Sequence, residues 1–278
     1  MLSKLRRTVF RVPWLSELVR FLYFGFRTLA MPVMLFRIRC RSGDFKFVDG
    51  WPYYFFQRRA RRNGSLSQHG QDAFIVEATG SQRNGIFVDI GCNDPVRFNN
   101  TAFLEREYEW EGISIDAQDQ FADRYLEERR SPFVHAVIGS QHKEVRFAQV
   151  SGREFAGLSG VQDHLDERKV SGRDQTVSVV EQVALKEVLD SHGIAKIDCL
   201  FVDVEGYEME VLSGIDFDAV EISRIVVEND IGFSGSNRIR DYLCERGYEL
   251  QARVYGDDVF RREVSKEGKN VEWQSGNG

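Results

Sequence analysis

Cysteine is sparse and scattered: Cys40, Cys92, Cys199 and Cys244 are the only four in 278 residues. No CxxC pair or His/Cys spacing suggests zinc, and no dense, even set suggests a disulfide framework. Cys92, Cys199 and Cys244 fall in apolar or motif segments, so buried free thiols in a reducing, cytoplasmic setting are expected. An uncharged apolar run of about 18 residues is also missing, because Arg20 and Arg27 interrupt the N-terminal stretch. No small-residue cleavage site follows that stretch. The body lacks positive charge: after residue 62 it holds 23 basic against 40 acidic residues. Such a surface repels phosphates, which argues against nucleic acid as the main substrate. There is no internal repeat of fixed period.

The first 62 residues have the opposite balance. Fourteen Lys and Arg stand against Glu17, Asp44 and Asp49, a net +11. A basic arm on an acidic body points to an anionic surface as the arm's partner. Pro13 suits a helix start, and Pro32 a kink or stop. At helical spacing Ser16, Glu17, Arg20, Arg27 and Thr28 fall on one side, and Leu15, Leu18, Leu22, Phe26 and Leu29 elsewhere on a wide apolar surface. This amphipathic helix could lie in a membrane interface, giving peripheral attachment. It could instead pack on its own domain or on a second subunit in a homo-oligomer. Residues 51–64 read as an aromatic and basic hinge. There Arg58, Arg59, Arg61 and Arg62 would touch lipid head groups or form a solvated face.

From residue 65 short apolar strands alternate with helices. Strands are expected at 85–91, 112–117, 133–139, 145–150, 197–206 and 224–230, and helices at 100–109, 118–130, 182–192, 206–213 and 236–246. This alternation predicts a mostly parallel, doubly wound α/β sheet covered on both faces. Residues 248–263 read as an antiparallel hairpin at the sheet edge. Three parts follow: a basic amphipathic helical arm and hinge (1–64), an α/β domain (65–263) and a polar, disordered tail (264–278). The glycine-rich stretch 151–161 reads as a mobile loop over an acceptor site. The charge-rich runs 125–130 and 163–169 read as solvated.

Asp89, Asp116, Asp203 and Glu228 all fall at strand carboxyl ends, where such sheets bind ligands. A dinucleotide site would show GxGxxG after the first strand. Here Gly91 is followed by Asn93 and Val96 where the second and third glycines belong. Asp89 before that turn would repel a pyrophosphate. It suits a cofactor with cationic and hydroxyl-bearing ends, such as S-adenosylmethionine. Asp116, at the second strand's end, is placed to accept ribose hydroxyls from either cofactor, so the first loop discriminates and the acid does not.

The segments "SQHGQDAFI" (67–75), "GIFVDIGCNDPVRFNNTAFLE" (85–105), "WEGISIDA" (110–117) and "IDCLFVDVEGYEMEVLSGIDF" (197–217) together resemble the FkbM family of methyltransferases. The resemblance covers about residues 65–255. It implies a class I, Rossmann-like methyltransferase fold, S-adenosylmethionine as cofactor, and O-methylation of a hydroxyl on a sugar or natural product. It would place Asp89 and Gly91 at the methionine end of the cofactor and Asp116, with Ala117, at the ribose. Cys92 and Asn93 stand where the family often has glycine or alanine, and Asn93 tolerates the left-handed backbone of the turn. "NNT" (99–101) would cap the next helix or lie near the methyl group. Gln68, Gln71 and Asp72 are expected to make polar contacts over the cofactor. His69 reads as a surface or lid histidine, and His135 as a satisfied strand histidine.

Methyl transfer to an alcohol needs in-line approach and help with a proton. Asp203, with Glu228 and Asn229 from the next strand, forms a plausible set of hard oxygen ligands for Mg²⁺. The pattern resembles metal-dependent catechol O-methyltransferases, with Glu228 in place of a second Asp and Gly206 in place of a lysine. Glu205 is an alternative base or a further ligand. Helix capping would also account for an acid at 203 or 205. Two function classes remain open at this point: an O-methyltransferase acting on a glycan or glycolipid at a membrane, and a non-catalytic, membrane-associated binding or scaffold protein of the same fold. A nicotinamide-dependent oxidoreductase is disfavoured by the missing glycines.

Overall fold

Two apolar runs, Ile86–Ile90 and Cys199–Val202, lie side by side as parallel strands in the middle of an eight-stranded sheet. The computed structural model describes residues 13–152, 156–165, 170–229 and 235–263. The tail 264–278 and parts of the runs 151–161 and 163–169 lie outside the described residues. In chain order the helices are α1 (Pro13–Arg37), α2 (Gly50–Arg62), α3 (Gln71–Ala78), α4 (Ala102–Tyr108), α5 (Ala122–Glu128), α6 (Leu185–Ser191), α7 (Glu208–Ser213) and α8 (Asn237–Cys244). The strands through the first crossover are β1 (Arg41–Val48), β2 (Ile86–Ile90), β3 (Glu111–Asp116) and β4 (Phe133–His135). A smaller set follows: β5 (Val137–Ile138), β6 (Lys143–Val150), β7 (Gly160–Val161), β8 (Gln175–Val183) and β9 (Lys196–Ile197). The last are β10 (Cys199–Val202), β11 (Glu221–Ile222), β12 (Arg224–Glu228), β13 (Tyr248–Val254) and β14 (Asp257–Arg262).

The large sheet runs β4-β3-β2-β10-β12-β14-β13-β1. Strand order reverses between β2 and β10, so a crevice opens there beyond their carboxyl ends. Both faces of β2 and β10 are covered, which is why they read as continuous apolar runs rather than alternating ones. Val88, Ile90, Leu200 and Val202 pack with Leu189, Val211, Leu212 and Leu243 of the helices on one face. Phe87, Cys199 and Phe201 pack with Phe74, Ile75, Leu104 and Trp110 on the other. Fully burying each such side chain contributes about 1.5–3 kcal/mol.

Four sequence expectations are corrected. The C-terminal hairpin is not at the sheet edge: β1 pairs in parallel with β13 and forms the edge itself. The segment read as arm therefore supplies a strand to the main sheet. The expected strand 133–139 splits at Ala136, with β4 in the large sheet and β5 in a four-stranded sheet of order β5-β8-β6-β7. Strand β8 carries four valines, but most of it is exposed and polar residues interrupt them; its end overlaps the helix expected at 182–192. Fourth, of the kink or stop expected at Pro32 the stop does not occur, since α1 continues to Arg37.

Helix α1 faces the body with its polar side. Arg27 is buried in an ion pair with Asp49, and Thr28 Oγ1 accepts the Trp51 N–H at 2.8 Å. Glu17 accepts from Tyr54 Oη and Arg58 Nη1, both at 3.0 Å. Leu22, Phe26, Leu29, Val33 and Phe36, spaced along one helix face, point outward and are 61–91% exposed. By length and composition Ser16–Arg37 is long enough, and an 18-residue window within it apolar enough (mean hydropathy 1.4), to cross a membrane even with Arg20 and Arg27 in it. Farther along, Asp258 is fully buried and accepts from Arg240, Arg253 and Asn229, tying the hairpin to α8.

Candidate active site

A cavity of about 450 Å³ opens beyond the carboxyl ends of β2, β3, β10 and β12. One wall is the turn after β2. Gly91 has φ +84°, and a Cβ there would lie 1.8 Å from the Asp203 carbonyl oxygen. Only glycine lets the two central strands approach this closely while turning. Asn93 has φ +51°, as its tolerance of the left-handed region predicts. Its N–H donates to Asp116 Oδ2 at 2.8 Å, and the Gln118 N–H donates to Oδ1 at 2.8 Å. Burial nevertheless pushes the Asp116 carboxyl above its usual range, against those two backbone donors. Gln68, Gly91, Asn93, Asp116 and Ala117 all line the cavity.

Two expected cofactor residues do not line it. Asp89 lies behind the wall, fully buried, with Thr101 Oγ1 donating to its Oδ2 at 3.0 Å. Burial pushes its carboxyl up to about 6. Asp72 is also fully buried; it accepts from both the N–H and hydroxyl of Ser67 and from the Ser65 hydroxyl. That carboxylate holds the loop before α3 rather than facing the cavity. Asn99 caps α4 by accepting the Thr101 and Ala102 N–H groups. Its neighbour Asn100 lines the cavity, and Asn100 Oδ1 is buried with no hydrogen-bond partner. An orphaned acceptor of this kind marks a place for a donor from a ligand.

A second part of the lining is a cluster of acids. Asp203, Glu205 and Glu228 bring carboxylate oxygens within 4.8 Å of one another. Asn229, expected beside them, is turned away: its amide donates to Ser236 O and Asp258 and accepts the Ser236 N–H. Asp257, which the sequence did not point to, joins the wall because β14 sets it directly opposite Glu228. Burial holds the Asp203 carboxyl well above the usual range, and Glu205, Asp257 and Glu208 add to the effect. Like charges in one half-buried site favour a shared proton or a bound cation.

Two N–H groups before α7 have an acceptor other than these acids. Glu208 Oε1 accepts the Val204 and Gly206 N–H groups at 3.3 and 2.9 Å, so the backbone before α7 is satisfied by Glu208. Glu205 instead sits at φ +52°, a conformation that costs a non-glycine residue roughly 1–2 kcal/mol. Such strain at a cavity wall is a feature of working sites.

At the mouth, His69 Nδ1 meets Tyr53 Oη at 2.8 Å, and its ring packs 4.7 Å from that of Tyr255. Burial, then the charge of Arg61, pushes His69 down to about 4, so it is neutral at neutral pH. Tyr255, Asp257, Arg97 and Phe98 also line the cavity; Arg97 and Phe98 fall within the 85–105 segment of the family resemblance, whereas Tyr255 and Asp257 carry no signal beyond turn composition. His135 Nε2 lies 2.9 Å from Ala117 O, a satisfied strand histidine as expected.

A family profile described as "Methyltransferase FkbM domain" matches residues 89–250. No curated protein matches the chain. No solved structure matches it either. The matched span starts at Asp89 and takes in the turn at Gly91, Asp116, the acidic wall from Asp203 to Glu228, and most of the sheet around them. The chain belongs to the FkbM methyltransferase family.

Proposed function

We propose that this methyltransferase uses S-adenosylmethionine to methylate a hydroxyl group on the sugar of a glycan or glycolipid at an anionic membrane surface. The observation that carries this reading is a single cavity with two chemically distinct walls. One is the Gly91–Asn93 turn with Asp116; the other is the cluster of Asp203, Glu205 and Glu228. S-adenosylmethionine supplies a methyl group on a cationic sulfonium, ready for attack by a nucleophile. The residues fit that group. Asp116 keeps acceptor capacity for a ribose hydroxyl, since a carboxylate offers about four lone-pair sites, of which backbone N–H groups and the Gln118 side chain use three. The acidic walls favour a cation, and Asn100 Oδ1 offers an unused acceptor.

Asp203 accepts the proton of the acceptor hydroxyl, which its raised pKa suits. Asp203, Glu205 and Glu228 would also hold a hard divalent ion such as Mg²⁺, which would acidify the hydroxyl and offset the repulsion among them. Incubation with EDTA should remove most methyl transfer from labelled S-adenosylmethionine, with Mg²⁺ restoring it. An undiminished rate would leave proton transfer by Asp203 without a metal.

The outward apolar stripe of α1 supports attachment to a membrane, and the four free cysteines support a cytoplasmic location. The membrane contact would be made by that apolar stripe rather than by the polar side of the helix, which the body occupies.

A further inference from the structure

A second cavity, of about 670 Å³, lies between α1, α2 and the mouth of the first. The two share Gln68, His69, Phe98 and Tyr255, so they meet along those residues. Their charges are opposite. The first has an acidic wall; the second is lined by Arg20, Arg58, Arg61 and Arg62, with no acid among its described lining residues. Glu17, nearby, holds Arg20 at 3.6 Å and Arg58 at 3.0 Å. Arg61 donates to the carbonyls of Ser65, Leu66 and Gln68. Among the described residues neither Arg61 nor Arg62 makes an ion pair.

Phe98 stands where the two cavities join. It is 49% exposed and has φ +58°, a strained conformation for a bulky side chain. Two guanidinium groups lie over its ring, Arg97 at 4.8 Å and Arg61 at 5.7 Å. An exposed, strained aromatic beside two cations, where the two cavities join, is placed to touch a ligand that spans them.

We propose that the second cavity binds a phosphate or diphosphate group carried by the acceptor. The acceptor is then a phosphorylated saccharide, with its hydroxyl at Asp203 and its phosphate at Arg61 and Arg62. This rests on the reading of the first cavity as the methyl-transfer site. A guanidinium fork matches phosphate oxygens, and the aromatic walls suit a sugar's apolar face. The cofactor does not compete for this groove, because its cationic end is drawn to the acidic wall.

The test is calorimetric titration of inorganic pyrophosphate into the full-length protein and into the double variant Arg61→Gln/Arg62→Gln. The same two proteins are titrated with S-adenosylhomocysteine. Pyrophosphate should bind the wild type and bind the variant at least about tenfold more weakly, as expected for lost charge-assisted hydrogen bonds. S-adenosylhomocysteine should bind both alike, which also shows that the variant is folded. No pyrophosphate binding by the wild type, or equal binding by the variant, would overturn the proposal. So would parallel loss of S-adenosylhomocysteine, which would assign the arginines to the cofactor or to folding. Weakened sedimentation of the variant with phosphatidylglycerol vesicles, without pyrophosphate binding, would assign them to the membrane and equally overturn it. If the wild type bound pyrophosphate but not S-adenosylhomocysteine, the methyltransferase reading would fall while the anion site stood.

Discussion

Asp203→Asn should lower turnover by about 10³-fold or more while leaving cofactor affinity within a few-fold, given what positioned proton transfer contributes. The substitution keeps the size of the side chain and its place at the end of β10, and it removes the carboxylate's basicity. Burial raises the Asp203 carboxyl, and Glu205, Asp257 and Glu208 add to the effect. The cofactor side of the cavity uses other residues, chiefly Gly91 and Asp116. Parallel measurement of kcat and of S-adenosylhomocysteine affinity separates the roles. Equal loss of both would show that Asp203 supports the cofactor or the fold instead.

Gly91→Ala should be strongly destabilising to the central sheet. The new Cβ would stand 1.8 Å from the Asp203 carbonyl oxygen and 3.2 Å from a Val204 methyl, on a backbone with φ +84°. Backbone cannot yield as a flexible side chain would, so β2 and β10 must part. The cost is roughly 4 kcal/mol or more, in the range reserved for core strain. That corresponds to a fall in Tm of roughly 8–16 °C for a domain of this size. Gly80→Ala is the control, because Gly80 has φ +64° but nothing within 4 Å of the added carbon. It should cost only the conformational penalty, about 1 kcal/mol and a few degrees. Equal Tm shifts in the two variants would contradict the close approach at Gly91.

The central strands were legible because both their faces are buried, and a short unbroken apolar run between turn residues is the pattern that a doubly covered strand leaves in a sequence. Strand β1 was not, since Arg41–Val48 mixes charged and apolar residues as an edge strand does and follows a helix that draws attention to itself. Strand β8 carries four valines, but its exposed residues mix them with polar ones, so no unbroken apolar run marks it. The site divided in the same way. Gly91, Asn93 and Asp116 could be placed because each sits at a strand end or turn whose geometry the local sequence dictates. Asp257 could not, because its place opposite Glu228 depends on a hairpin that packs between β12 and β1. Asp72 and Asn229 misled for one reason. A polar residue beside a motif reads as a ligand contact, but both are spent on holding backbone and neighbouring side chains in place. Helix α1 showed its two sides in sequence, and only packing revealed that the polar one faces inward.

The central claim is that the Gly91–Asp116 wall holds S-adenosylmethionine. Calorimetric titration of that compound into the wild type and Asp116→Ala tests it most directly. The wild type should show saturable one-to-one binding, and the variant a loss of about tenfold or more, as for removal of a charged hydrogen-bonding partner. No binding by the wild type, or equal affinity in the two proteins, would contradict the claim.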